Sequence, residues 1–118
     1  MGGPVKRILV VDDEPVVRRL IGIYLGGRFI VEEAEDGEKA LSKASSGDYD
    51  YVITDVNMPR MDGLSLLGEI KRRSPRTAVI VMSALSELYA AVALERGAHT
   101  VISKPFARDA IQTAMQCA

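Results

Sequence analysis

Five polar residues of this chain fall at the same kind of place, the end of an apolar run. Asp12 and Asp13 follow Ile8-Leu9-Val10-Val11, and Asp55 follows Tyr51-Val52-Ile53-Thr54. Ser83 follows the run from Thr77 to Met82, and Lys104 follows Val101-Ile102-Ser103. Such runs read as buried strands of a parallel sheet covered on both faces. Open α/β sheets carry their reactive groups outside the carboxyl ends of the strands. With the first and third strands side by side, three carboxylates converge. At ~5 Å and an effective dielectric of ~20, each like-charge pair costs about 3 kcal/mol. The cluster therefore calls for a cation or a raised pKa. Hard carboxylate oxygens with room for water suit Mg2+, whereas Ca2+ needs more protein oxygens than are in view. Lys104 adds a fixed positive charge and Ser83 a hydroxyl donor. Together they suit a phosphoryl group carried on Asp55. Each residue also has a plainer role. Asp12-Asp13 could cap a helix, Asp55 could merely end its strand or cap the next helix, Ser83 could cap a helix, and Lys104 could lie in solvent.

The elements that must position these groups follow from periodicity. A first strand spans Val5 to Val11, and Glu14-Pro15 opens a helix with Asp13 as N-cap and proline near N1. Val17, Leu20, Ile21 and Tyr24 line its buried face, and Gly26-Gly27 stops it. Phe29 to Ala34 alternates partly, as an edge strand does. Asp36-Gly37 turns the chain into a helix lined by Ala40, Leu41 and Ala44 and ended by Gly47. The third strand, Tyr49 to Thr54, delivers Asp55. Pro59 and Gly63 shape an irregular loop, in which Asp62 is a loop or helix-start residue without chemistry. A helix then runs from Leu64 to Arg73, until Ser74-Pro75 breaks it. After the fourth strand, Thr77 to Met82, a helix spans Ser86 to Arg96 with Gly97 as its stop. Thr100 to Ile102 is a short fifth strand. Ala107, Ala110, Ile111, Ala114 and Met115 recur at the spacing of a last amphipathic helix. Five strand–helix alternations predict an α/β fold, a doubly wound five-stranded parallel sheet of order 2-1-3-4-5.

With 118 residues, 47% hydrophobic and 26% charged, the chain suits one domain. Residues 1–4 read as a leader or remnant and 5–118 as the domain. A formal net charge of −1 argues against nucleic acid as a direct partner. Cys117 is the one cysteine, so no internal disulfide forms. With no secretory leader, a cytoplasmic setting is expected. No apolar run approaches the ~18 residues of a membrane span. His99, Arg60, Arg72 and Arg73 read as solvated side chains and Cys117 as an inert thiol.

Taken together, Val11-Asp12-Asp13-Glu14-Pro15, Asp55-Val56-Asn57-Met58-Pro59-Arg60-Met61-Asp62-Gly63, Met82-Ser83-Ala84 and Ser103-Lys104-Pro105-Phe106 resemble the receiver domain of two-component response regulators, with its flavodoxin-like, CheY-like (βα)5 fold. The resemblance covers residues 5 to 118. It implies that Asp55 accepts a phosphoryl group from a phosphohistidine of a sensor histidine kinase or phosphotransfer protein. It implies Mg2+ held by Asp13, Asp55 and the backbone carbonyl of Asn57, with Asp12 acting through water. Lys104 would pair with the phosphoryl oxygens, Ser83 would close on them, and the Lys104–Pro105 bond would be cis. The chain would be a switch for a downstream effector, taking part in its own phosphorylation and dephosphorylation, rather than an enzyme. Two positions depart from the family's pattern. Val101 stands where many receivers carry Tyr or Phe, and His99-Thr100 stand where the dimerising subgroup carries acidic residues. Two other functions compete: a Mg2+-dependent phosphohydrolase with an aspartyl-phosphate intermediate, and a phosphate-independent scaffold. The first lacks its Asp-x-Asp motif and cap insertion here, and the second would have lost an acidic residue or the lysine.

Overall fold

The computed structural model describes residues 5–56, 61–83, 87–104 and 106–117. Its strands are β1 (Lys6–Val11), β2 (Phe29–Ala34), β3 (Tyr51–Asp55), β4 (Ala78–Ser83) and β5 (Thr100–Ser103). Its helices are α1 (Pro15–Leu25), α2 (Gly37–Ser46), α3 (Gly63–Arg73), α4 (Glu87–Glu95) and α5 (Arg108–Cys117). All neighbouring strands pair in parallel, in the order β2-β1-β3-β4-β5. This is the predicted doubly wound α/β sheet, with β2 at one edge.

Successive residues of a strand face opposite sides, and here both sides are buried. Leu9, Val11, Val52, Val79 and Val81 pack with Ala40, Leu66, Leu67, Ile70 and Ala93, under α2, α3 and α4. Ile8, Val10, Ile53, Ile80 and Met82 pack with Ile21, Leu25, Ile111, Ala114 and Met115, under α1 and α5. Two cores back to back hold the central strands in fixed register, so the residues that leave their carboxyl ends have fixed positions.

The helix starts correct one expectation. Asp13 is not the N-cap of α1: Glu14 is, its side chain makes no capping bond, and Pro15 sits at N1. The Asp12 carboxylate instead accepts the Glu14 N–H at 2.9 Å. This short Asx-type link bends the chain into the helix. Asp36 and Asp62 are genuine caps, accepting from Lys39 N and Ser65 N at 2.8 Å. Gly26 and Gly97 have φ of +70° and +105°, conformations that favour glycine, and the chain runs on from Gly26 into a 3-10 turn, Gly26–Arg28. Ala107 was expected on the buried face of the last helix. It lies exposed, just before α5 begins at Arg108. His99 is exposed, as expected. No helix among the described residues is long and apolar enough to cross a membrane.

The cap at Asp36 can be weighed directly. Asp36→Ala should lower the unfolding free energy by about 1 kcal/mol, read as a shift of the urea midpoint at unchanged slope.

Candidate functional site

At the carboxyl edge of the sheet the backbone is laced across all five strands. Asp12 N donates to Ala34 O at 3.2 Å, Val56 N to Met82 O at 3.1 Å, and Lys104 N to Ser83 O at 2.9 Å. The ladder thus continues one residue past β1, β3 and β5, and at β1 and β5 it reaches the polar residues Asp12 and Lys104 themselves. Asp55 is in register with Met82, so Ser83 lies one step further out on the neighbouring strand.

The three carboxylates converge as expected. Asp12, Asp13 and Asp55 each offer an oxygen, and these oxygens lie within 4.8 Å of one another. Asp12 is fully buried and Asp55 is 8% exposed, while Asp13 faces solvent. Lys104 bridges the inner two, its Nζ 3.1 Å from Asp12 Oδ2 and 3.3 Å from Asp55 Oδ2. Burial pulls the lysine pKa down, but bonding to Asp12 and the charges of Asp12 and Asp55 outweigh it, so the ammonium is held above its ordinary value. Ser83 ends β4 and is 5% exposed. Asn57, Arg60, Pro105 with its expected cis bond, and the start of the β4–α4 connection at residues 84–86 lie outside the described residues.

The donor set fits Mg2+. Hard carboxylate oxygens from two neighbouring strands gather at one point, one of them on the solvent side where bound water has access. The surplus of negative charge over the single lysine is what a divalent cation would neutralise.

Two contacts add to what spacing indicated. Gly63 N donates to Val56 O at 2.8 Å, folding the start of α3 back onto the end of β3. The approach is so close that a Cβ at Gly63 would lie 2.2 Å from the carbonyl oxygen of Asp55. Arg18, on α1, donates through Nη1 to the carbonyl oxygen of Asp12 at 2.6 Å. The helical pattern places Arg18 beside the apolar stripe of α1, but nothing in the sequence says that it reaches the acidic loop.

With this geometry in view, comparison with known proteins is direct. The family described as "Response regulator receiver domain" matches residues 8–116, and the chain belongs to that family. It is therefore a receiver domain of the two-component signalling class. Among curated relatives it is 37% identical over 112 residues to the chemotaxis protein CheY of Bacillus subtilis, covering 92% of this chain and 93% of that protein. It is 38% identical over 114 residues to the regulatory protein AtoC of Escherichia coli, covering 95% of this chain but only 25% of that longer protein. Among solved structures, the response regulator protein TrrA of Thermotoga maritima, in complex with Mg2+ and BeF, superposes with a TM-score of 0.85 at 37% identity. That match covers 94% of this chain and 96% of the other.

The close approach at Gly63 gives a sharp test of how firmly Asp55 is held. Gly63→Ala should cost about 1–3 kcal/mol by overpacking, because the atoms in the way are backbone. It should also shift the Asp55 and Val56 amide resonances. Urea melts and amide spectra matching the wild type would mean that the backbone at Asp55 yields freely.

Proposed function

We propose that this receiver domain accepts a phosphoryl group on Asp55 from a phosphohistidine of a sensor histidine kinase or phosphotransfer protein, in a Mg2+-dependent reaction. The observation that carries this reading is the placement of Lys104 Nζ 3.3 Å from Asp55 Oδ2, beside the buried Asp12 carboxylate. In the transfer, a carboxylate oxygen of Asp55 attacks phosphorus. The bond from phosphorus to the imidazole nitrogen breaks, and the imidazole leaves with the electron pair. Asp13, Asp55 and the Asn57 carbonyl would hold Mg2+, with Asp12 acting through water. When bound, the ion supplies positive charge to the phosphoryl oxygens. Lys104 pairs with those oxygens, and the Ser83 hydroxyl donates to them.

The consequence is a switch rather than turnover of outside substrates. Ser83 and Lys104 belong to one backbone rung, Lys104 N to Ser83 O. A phosphoryl group that draws both side chains inward therefore pulls on β4 and β5 together. Charge-assisted contacts worth roughly 1.5–3 kcal/mol each approach the ~5.5 kcal/mol that moves a two-state balance from 1:99 to 99:1. The response would reach the segment after Ser83 and the start of α4, and alter binding to an effector. That effector is a separate protein or, as the longer relatives suggest, a further part of a larger chain. Such a module works in the cytoplasm and needs no nucleic-acid surface of its own.

Acetyl phosphate with Mg2+, followed by intact mass, tests the central step. One phosphoryl adduct is expected on the wild type and none on Asp55→Asn. A full adduct on Asp55→Asn would refute the assignment. Steady hydrolysis of varied phosphate esters would favour an enzyme instead.

Val101 sets a second expectation. It is half-buried beside the core under α4. As a β-branched side chain it is stiff at χ1 and too short to sweep between surface and interior. Structures without phosphate and with beryllofluoride on Asp55 should differ in the segment after Ser83, with only a small adjustment at Val101. A fixed segment with Val101 passing from exposed to buried would sink this account.

A further inference from the structure

The Asp12–Asp13 peptide is restrained from several sides. Asp12 N donates to Ala34 O at 3.2 Å, and its carboxylate takes the Glu14 N–H at 2.9 Å and Lys104 Nζ at 3.1 Å. Those bonds fix Asp12. The plane of the next peptide, which aims Asp13, is fixed by what holds the Asp12 carbonyl, and that is Arg18 Nη1 at 2.6 Å. The guanidinium is in turn pinned by Glu33 Oε1 at the end of β2, 2.7 Å from Arg18 Nε. Its side chain is only 15% exposed, against 45% for Glu33. A planar fork with a second anchor holds a carbonyl more rigidly than a flexible ammonium can.

We infer that Arg18 is a positioning residue for the metal site: it fixes the Asp12 carbonyl, and through that peptide plane aims the Asp13 carboxylate at the ion. This rests on the Mg2+-dependent reading above. The arrangement has a counterintuitive sign. As a bare positive charge near the cluster, Arg18 would repel the incoming cation. As an aiming device, it strengthens cation binding.

That difference in sign makes the test. Mg2+ is titrated into wild type and Arg18→Met, with affinity read from amide chemical shifts and stability read separately from urea melts. Loss of a group that orients metal ligands costs about 10-fold or more in affinity, so the Kd for Mg2+ should rise by about that factor. Phosphorylation by acetyl phosphate should slow at low Mg2+ and recover as Mg2+ is raised. Arg18→Lys keeps the charge but cannot hold both anchors, so it should show a smaller rise. It also serves if Arg18→Met does not fold. An unchanged Kd in Arg18→Lys together with an unchanged or lower Kd in Arg18→Met would overturn the inference, even if stability falls. Where only Arg18→Lys folds, its unchanged Kd alone overturns it. Wild type that binds Mg2+ while the variants bind equally well overturns the inference alone. Wild type that binds no Mg2+ overturns both it and the proposed function.

Discussion

Like-charge crowding at the carboxyl edge of the sheet is the constraint on which the rest depends. Three carboxylates with oxygens inside 4.8 Å of one another repel by about 3 kcal/mol per pair at an effective dielectric of ~20. One of them, Asp12, is fully buried, where an unpaired charge is most costly. The fold meets this with Lys104, whose single charge is shared between the two inner carboxylates. Three negative charges against one positive leave a deficit of two, which a divalent cation matches. A phosphoryl group on Asp55 would replace one carboxylate charge by a phosphoryl charge of about −1.5 to −2, and so would deepen the deficit by up to one unit. On the proposed reading, lysine and metal would thus be needed more after transfer than before it.

That charge balance requires the groups to be held close together, and the sheet holds them. Parallel pairing in the order β2-β1-β3-β4-β5 puts β1 and β3 side by side, so the acidic pair and Asp55 leave adjacent strands. The backbone rungs past the strand ends, and the Gly63 backbone pressed against Asp55, leave Asp55 little freedom. Two cations then act at one cluster in different ways. Lys104 meets the carboxylates with its charge, whereas Arg18 grips a carbonyl between them.

Much of this was legible because apolar runs, glycines and prolines report directly on strands and their ends. The five strands follow from such local signals, and their order, with the meeting of Asp12, Asp13, Asp55 and Lys104, from which of the two common doubly wound orders suits five strands. What escaped depends on three-dimensional contact. Asp13 and Asp62 both precede helices with the residue type of a cap, yet only Asp62 caps one. At the first helix the preceding carboxylate, Asp12, already occupies the Glu14 N–H. Ala107 continued the apolar spacing of α5 but falls before its first turn. Arg18 looks in sequence like any charged residue at the border of an amphipathic helix. Its role appears only when the ends of β1 and β2 are brought beside it.

The same physics separates what can move from what cannot. β1 and β3 are buried on both faces beneath the two cores, so a change at Asp55 cannot be relieved through them without disrupting close packing. The other side of the site is anchored more lightly. Among the described side chains of α4 only Ala93 is buried, while Leu94 is 51% and Tyr89 39% exposed. A helix whose described side chains contribute so little to the core shifts at lower cost than the central strands, as segments with few buried apolar contacts do. Its lead-in begins directly after Ser83, the residue whose carbonyl takes the Lys104 N–H. On the proposed reading, tension applied by a phosphoryl group at Ser83 and Lys104 would meet a rigid wall at β1 and β3 and a more lightly packed one at α4. The direction of such a response would be set by where the core is thin, without an aromatic side chain at position 101 to steer it.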